Sequence, residues 1–258
     1  MAQIEPSRAM DRQLFGGLLA TAVAGQLAAL PYVFSLFNVG DLSLPVPLPV
    51  AILVQAVQGA AMSALAIWLG LRMARGLGLG LPFVQDWLAG RLDRAQFVST
   101  ARLSVVLGAL AAAAIFVLDR YVFVLWIDPI TAMQETPPLW QRILVCFYGG
   151  INEEVFLRLF LMTLLIWLAS KLLRRTAPTA AIAWLAILIV SVVFGLGHLP
   201  MTAHFMPLTT LVVTRAIVLN GIAGVLFGWL YWRRGLEAAM IAHFATDVVL
   251  HVLLPLAT

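Results

Sequence analysis

Charged residues are scarce in this chain of 258 residues: they make up 11% of it, whereas hydrophobic residues make up 62% and the mean hydropathy is +0.99. An average soluble domain is about a quarter charged. So few polar side chains cannot cover the surface of a folded chain of this size in water. The composition therefore excludes a soluble protein and predicts one that folds within a lipid bilayer.

Cysteine is nearly absent as well, since Cys146 is the only one. One cysteine can form neither a disulfide within the chain nor a cysteine-based metal cluster. Lysine is equally rare: of the sixteen basic residues, only Lys171 is a lysine. The net charge of +4 comes from arginines in short clusters between apolar runs. That pattern orients membrane proteins and requires no nucleic acid as a partner.

Apolar runs are abundant, and several reach the roughly 20 helical residues that are needed to cross a bilayer. Because helices satisfy the backbone of such runs in lipid, we predict an all-α, multi-pass transmembrane helical bundle that forms a single membrane-embedded domain over residues 1–258. About seven spans are expected, with six to eight as the range. They are Leu14–Phe37, Val50–Leu71, Leu103–Ile127, Ile143–Leu168, Ala177–Leu196, Met206–Trp232 and Leu236–Leu256. The mixed segment Gly76–Arg102 is interpreted as interfacial.

The basic residues are distributed unequally between the two ends of these spans. With the N-terminus placed in the cytoplasm, twelve basic residues fall on the cytoplasmic side and Arg142 alone falls on the opposite side. This is the bias described by the positive-inside rule. We therefore expect a cytoplasmic N-terminus in a multi-pass protein of the cell (inner) membrane, with the lipid bilayer as its surroundings.

Ionisable residues inside a span cost about 2.5–3.5 kcal/mol at the bilayer centre, so they indicate pairing or function. The fourth span contains Glu153, Glu154 and Arg158. Glu154 precedes Arg158 by four residues, which is the favourable order for an ion pair along a helix. Glu153 is then the carboxylate left without a helical partner, which makes it a candidate general base. A structural ion network between helices is the alternative interpretation.

The fifth and seventh spans add histidines to this pattern. His198 follows Phe194 by four residues, and the spacing of four also places His243, Asp247 and His251 along one helix face. A His–Asp pair can orient an imidazole, bind a metal or neutralise two polar groups in lipid. His198 alone is equally typical of a helix end at the interface. His251 is expected near the membrane surface, and a structural role is expected for Arg215 in the sixth span.

Three motifs in this order, Glu153-Glu154-x-x-x-Arg158, Phe194-x-x-x-His198 and His243-x-x-x-Asp247, resemble those of the CPBP family of intramembrane proteases. The family includes the type II CAAX prenyl endopeptidases and the bacterial Abi proteins. The resemblance covers a catalytic core of about residues 143–254. It implies an endopeptidase that hydrolyses a peptide bond in or near the membrane, with a peptide or membrane protein as its substrate.

By this resemblance, Glu153 activates a water molecule for attack on the scissile carbonyl, and Glu154 with Arg158 holds that base in place. The remaining residues face the same cavity, and two roles stay open for them. In one role they stabilise the developing oxyanion. In the other they hold zinc or another divalent metal, as in a metalloendopeptidase. These remaining residues are His198, His243 and Asp247.

Two features of this chain bear on those roles. Many members of the family carry Asn at the position of Asp247, and an ionised Asp cannot donate a hydrogen bond to an oxyanion. This departure slightly favours a metal ligand or a residue that orients His243. His198, in addition, falls near the outer end of an ideal fifth helix. A catalytic role for it requires a span that starts later, or one that is tilted or broken around Gly195–Gly197.

Two other classes of function compete with the protease. One is a non-catalytic peptide-binding or bacteriocin-immunity membrane protein that keeps the fold. The other is an ion- or proton-coupled transporter, in which the buried acids and histidines form a relay. A transporter of this kind predicts inverted repeats with paired broken helices, and no such repeat is evident in the sequence.

Overall fold

The computed structural model describes residues 8–37, 45–127, 137–175 and 177–257 of the chain. It is 87% helical and contains no strand among those residues. The α-helices are α1 (Arg8–Phe37), α2 (Leu48–Ala74), α3 (Pro82–Leu88), α4 (Arg94–Leu118), α5 (Leu139–Phe147), α6 (Thr163–Leu172), α7 (Ala180–Gly197), α8 (Leu199–Phe205), α9 (Thr210–Arg234), α10 (Leu236–Asp247) and α11 (Leu254–Ala257). Four π-helical segments join or extend them: Asp119–Phe123, Tyr148–Glu153, Val155–Met162 and Val248–Leu253.

Seven helical stretches within the described residues are long and apolar enough to cross a membrane. In chain order, these spans are Ala9–Phe37, Leu48–Leu77, Arg94–Phe123, Leu139–Leu172, Ala180–Phe205, Thr210–Arg234 and Leu236–Leu256. The predicted all-α bundle of about seven spans is thus confirmed. The cytoplasmic N-terminus stays a prediction.

The third span begins earlier than the sequence predicted, so the interfacial interpretation of Gly76–Arg102 was wrong for its last part. Helix α4 begins at Arg94, and the side chain of Asp93 accepts a hydrogen bond from the backbone N–H of Gln96 at 3.0 Å. Such a cap satisfies one of the free donors at a helix N-terminus. A charged first turn can extend beyond the hydrocarbon, so the apolar run alone did not mark the start of the helix.

The fifth span both begins and ends later than predicted. Thr179 caps helix α7 through a hydrogen bond from the backbone N–H of Ile182 at 3.3 Å. Helix α8 then continues the span to Phe205. His198 therefore lies well inside the span at the junction of the two helices, rather than at its outer end.

Helices α7 and α9 approach each other through small residues. A Cβ atom added at Gly195 would lie 2.5 Å from Ile217 Cα, and one added at Gly224 would lie 2.9 Å from Ser191 Cα. Glycines at such a crossing allow two backbones to pack closely in a membrane, where the hydrophobic effect does not drive helices together. The small pair Gly224 and Gly228 thus marks a close helix contact.

An ion pair connects the third span to the sixth. Arg215 donates hydrogen bonds from Nε and Nη2 to the two carboxylate oxygens of Asp119, at 2.6 and 2.7 Å. This two-bond geometry is the strong form of an arginine–carboxylate pair. It is consistent with the structural role expected for Arg215.

We predict that the α7–α9 crossing tolerates no side chain at Gly224. Gly224→Ala should lower the melting temperature in detergent, because overpacking costs about 1–3 kcal/mol and the nearby atoms include the backbone of Ser191. Gly221→Ala on the same helix is the control, since an added Cβ there meets nothing within 4 Å. It should leave the melting temperature unchanged or raise it, because Ala favours a helix over Gly by about 1 kcal/mol. Equal effects of the two substitutions would contradict the close crossing.

Candidate active site

The fourth span widens where its acidic residues lie. It is π-helical over Tyr148–Glu153 and again over Val155–Met162. Such segments are rare and occur frequently at functional sites. Gly149 and Gly150 let this span approach α10 closely: an added Cβ at Gly149 would collide with Asp247 Oδ2, and one at Gly150 would lie 3.0 Å from Phe244 Cβ. The two glycines thus bring the glutamates against the seventh span.

Glu154 and Arg158 form the ion pair that their spacing predicted, and both side chains are fully buried. Arg158 Nη1 donates to Glu154 Oε1 at 2.8 Å, and Nη2 donates to the backbone oxygen of Gly224 at 3.3 Å. The guanidinium also lies over two aromatic rings, 5.0 Å from the centroid of Phe194 and 5.3 Å from that of Phe227. Aromatic faces partly replace the water that this cation has lost.

His243 lies at the centre of the cluster. Its Nδ1 is 2.7 Å from Glu154 Oε1, so the buried carboxylate oxygen contacts both Arg158 and the imidazole. Its Nε2 faces two further carboxylates, Glu153 Oε2 at 3.5 Å and Asp247 Oδ1 at 3.7 Å. The ring stacks on Phe227 with centroids 4.5 Å apart and an interplanar angle of 20°. These contacts fix the ring plane and the direction of both nitrogens.

The two adjacent glutamates differ sharply in their surroundings. The side chain of Glu154 is 0% exposed, whereas that of Glu153 is 26% exposed. Glu153 has no ion-pair partner on its own helix among the described residues, but the seventh span brings His243 Nε2 to within 3.5 Å of its Oε2. Glu153 is thus the accessible carboxylate of the two, whereas Glu154 is completely buried.

His198 joins the cluster indirectly. Its Nδ1 is 2.8 Å from the backbone oxygen of Phe194, four residues earlier. The ring of Phe194 contacts both histidine rings edge-on, with centroids 4.9 Å from His198 and 5.6 Å from His243. The catalytic role that the resemblance implied for His198 stays a prediction.

His251 contacts Arg142 and Tyr32. Its backbone oxygen accepts a hydrogen bond from Arg142 Nη1 at 3.3 Å, and its ring lies edge-on to Tyr32 with centroids 6.4 Å apart. Asp247 ends helix α10, and the following π-helical segment Val248–Leu253 has a wider turn.

Sequence reasoning assigned no role to Asn152, which connects the site to α1. Its side chain is fully buried, and Nδ2 donates to the backbone oxygen of Ala22 at 2.9 Å. Helix α1 can approach it because position 25 is a glycine, where an added Cβ would collide with Asn152 Oδ1. The sequence signal for this contact was an amide side chain next to two glutamates within an apolar run.

The residues that the resemblance implied as metal ligands are not arranged as a ligand set. His243 Nδ1 is engaged by Glu154, and His198 Nδ1 faces the Phe194 carbonyl. Within the part of the chain that the structure describes, no three His, Cys, Asp or Glu side chains are grouped so that they could hold a metal ion. His198, His243 and Asp247 thus do not fit a metal in this arrangement. Metal dependence stays a prediction of the resemblance.

The fold and the cluster define a multi-pass membrane protein with an ionisable site enclosed by its helices. Residues 135–249 match the family model described as Rce1-like, type II CAAX prenyl endopeptidase. This match supports membership of the CPBP family of intramembrane proteases and confirms the resemblance drawn from the three motifs. The family implies CAAX-type endopeptidase activity in general. No curated protein and no solved structure matches the chain.

We predict that Arg158 is required to keep Glu154 buried. Arg158→Met should lower the free energy of unfolding by about 3–5 kcal/mol, because it leaves a buried carboxylate without its cation. The double variant Glu154→Gln with Arg158→Met should be more stable than that single variant, since neither charge remains. Thermal unfolding of the purified variants in one detergent measures both.

Arg215→Met is the matched control for this series. It also breaks an arginine–carboxylate pair between side chains in the spans, but there both partners are about a quarter exposed. Its cost should be clearly smaller than that of Arg158→Met. If the double variant is less stable than Arg158→Met, the unpaired charge of Glu154 is not the cause of the destabilisation in the single variant.

Proposed function

We propose that this protein is an intramembrane endopeptidase in which Glu153 activates the attacking water. The observation that carries the proposal is the asymmetry of the two glutamates around one imidazole. Glu154 is fully buried and bound to both Arg158 and His243, whereas Glu153 is partly exposed and lies 3.5 Å from His243 Nε2. One acid therefore positions the histidine, and the other is free to exchange a proton with a bound molecule.

Hydrolysis follows from these positions. The Glu153 carboxylate accepts a proton from water, and the resulting hydroxide forms a bond to the scissile carbonyl carbon. The bond between that carbon and the amide nitrogen then breaks, and Glu153 returns its proton to the departing amine. A carboxylate that acts in turn as base and acid contributes typically 10²–10⁴-fold to the rate.

Glu154 and Arg158 are positioning residues in this mechanism. Arg158 donates a hydrogen bond to Glu154 Oε1, the same oxygen that His243 Nδ1 contacts, so this oxygen is proposed as the acceptor that holds the proton of the imidazole on Nδ1. A buried acid has the same effect on the histidine of serine proteases, where it sets the tautomer and orientation of the ring. His243 consequently presents Nε2 toward Glu153 and the bound substrate.

His243, Asp247 and His198 complete the site in this proposal. When Nε2 is also protonated, His243 can donate a hydrogen bond to the developing oxyanion, and one such donor is worth about 3–4 kcal/mol in other proteases. Asp247 Oδ1 lies 3.7 Å from Nε2 and is proposed to orient His243. His198 is proposed as a second donor, because Phe194 holds its ring close to that of His243.

The partners follow from the depth of the site. A cluster held within spans four and seven acts on a peptide bond in or near the membrane, so a peptide or a membrane protein is the proposed substrate. The cell (inner) membrane is the proposed location, as the distribution of basic residues suggests. Nucleic acid has no place in this function.

We expect Glu153→Gln to abolish cleavage without unfolding the protein, because it removes the base and leaves the Glu154–Arg158 pair intact. Membranes from cells that make equal amounts of native protein or variant are compared by mass spectrometry of peptide termini. Termini produced by this protein should fall by about 100-fold or more in the variant.

Glu237→Gln is the control for this comparison. Glu237 is a buried acid of the same seventh span, but its Oε1 accepts a hydrogen bond from the backbone N–H of Val84 at 2.8 Å, outside the cluster. This variant should keep the native termini. The same termini in all three membranes would reject the protease and favour the non-catalytic peptide-binding or immunity function. Proton flux through the purified protein in vesicles, lost in Glu153→Gln, would favour the transporter.

Because the proposed steps use only side chains of the chain, we expect a strong zinc chelator to leave the rate of cleavage unchanged. The assay uses the purified protein in detergent with a peptide that spans a cleavage site found in the membrane comparison. A rate that falls with the chelator and returns with added zinc would contradict this mechanism. It would support the metalloendopeptidase that the resemblance implied, with His198, His243 and Asp247 as ligands.

A further inference from the structure

A second polar site lies at the end of the bundle where α1 begins and α2 ends. A cavity of about 570 Å³ opens there between the two helices. Its volume falls within the roughly 300–1,000 Å³ of small-molecule sites. The residues that line it include Asp11, Arg12, Phe15, Trp68, Arg72 and Arg75. Asp11 and Phe15 share a face of α1, and Trp68 and Arg72 share a face of α2, because residues four apart in a helix lie on the same side.

The cavity carries more positive charge than its own acid can neutralise. Arg75 Nη2 lies 2.5 Å from Asp11 Oδ1, so these two residues compensate each other. Arg12 and Arg72 are exposed, and neither forms an ion pair with any residue that the structure describes. Two guanidinium groups therefore face the same space with their charge available to a ligand. Guanidinium forks match the oxygen atoms of phosphate groups particularly well.

Part of the cavity lining is apolar: it includes Phe15, Trp68 and Leu71. The indole of Trp68 is half exposed and lies 5.8 Å below the Arg72 guanidinium. Leu65, almost one turn deeper in the same helix, is 58% exposed. Tryptophan beside arginine at the end of a span is typical of the level of the lipid headgroups. A ligand that contacts both the arginines and the apolar residues must carry an anionic head and an apolar tail.

We propose that this cavity binds one anionic phospholipid, with its phosphate between Arg12 and Arg72 and its chains along Trp68 and Leu65. Basic pockets between membrane helices are known sites for such headgroups. A zwitterionic lipid is disfavoured, because its own cation would meet the excess positive charge and Asp11 is already paired with Arg75. This site lies outside the cluster around His243 and does not depend on the proposed protease.

The experiment measures the melting temperature of the full-length protein in detergent as lipid is added. Phosphatidylglycerol should stabilise the native protein at concentrations at which phosphatidylcholine does not. In Arg12→Gln with Arg72→Gln, the phosphatidylglycerol concentration needed for half of that stabilisation should rise by about tenfold or more, because each arginine contributes roughly a few-fold to binding an anionic lipid. An unchanged concentration would overturn the proposal.

The matched control is Arg233→Gln with Arg234→Gln at the end of α9. These arginines are also exposed, and Arg233 lies 5.2 Å from the centroid of Trp232, but neither lines the cavity. This variant removes the same charge and should keep the native response. An equal loss in the control would show general attraction to a positive surface. Stabilisation by inorganic phosphate at equal concentration would show a site for free phosphate; either result overturns the proposal.

A folding defect of the first double variant would not end the test. Native mass spectrometry of the unaltered protein in an equal mixture of the two lipids provides the second measurement. One retained phosphatidylglycerol per chain, absent from Arg72→Gln alone, would support the site. Equal retention of both lipids would overturn it.

Discussion

One carboxylate oxygen organises the interior of this protein. Glu154 Oε1 lies 2.8 Å from Arg158 Nη1 and 2.7 Å from His243 Nδ1, in surroundings from which water is excluded. A buried charge is tolerated only when it is paired and hydrogen-bonded. Arg158 therefore cannot leave Glu154, and His243 is held in the position where it meets the same oxygen. This atom thus links the fourth and seventh spans.

The backbone makes that meeting possible. Gly149 and Gly150 allow α10 to pass against the fourth span, and Gly224 provides both the close crossing with α7 and a carbonyl for Arg158. Adjacent side chains of a helix point in directions about 100° apart, so the two glutamates have different surroundings. One becomes a buried anchor and the other becomes an accessible acid. The chemistry thus depends on close contacts between helices, and these contacts occur where the sequence has glycine.

The sequence was sufficient for features that depend on composition and on spacing within one helix. Long apolar runs predicted the seven spans, and the interval from Glu154 to Arg158 predicted the ion pair. It was insufficient where a second helix decides the outcome. The proximity of Glu153 to His243, the anchoring of Asn152 to α1 and the bond between Asp119 and Arg215 all join residues that are far apart in the chain. Periodicity carries no information about such contacts.

The boundaries of the third and fifth spans show a related limit. Asp93 and Thr179 begin their helices by capping them, and a cap acts through a hydrogen bond to a backbone group rather than through hydropathy. The apolar run began after the capped start of the third span and before that of the fifth, and in the fifth span it did not include α8. The continuation of the fifth span through α8 places His198 inside the span.

The central claim is that Glu154 holds the proton of His243 on Nδ1 and turns Nε2 toward Glu153. The ¹⁵N spectrum of the histidine side chains tests it most directly, since the chain has four histidines and the variant His243→Asn identifies the relevant signal. We expect a protonated, strongly hydrogen-bonded Nδ1 that loses this bond in Glu154→Gln and keeps it in Glu153→Gln. An Nδ1 without a proton, or one that responds to Glu153→Gln alone, would contradict the assignment of the positioning acid.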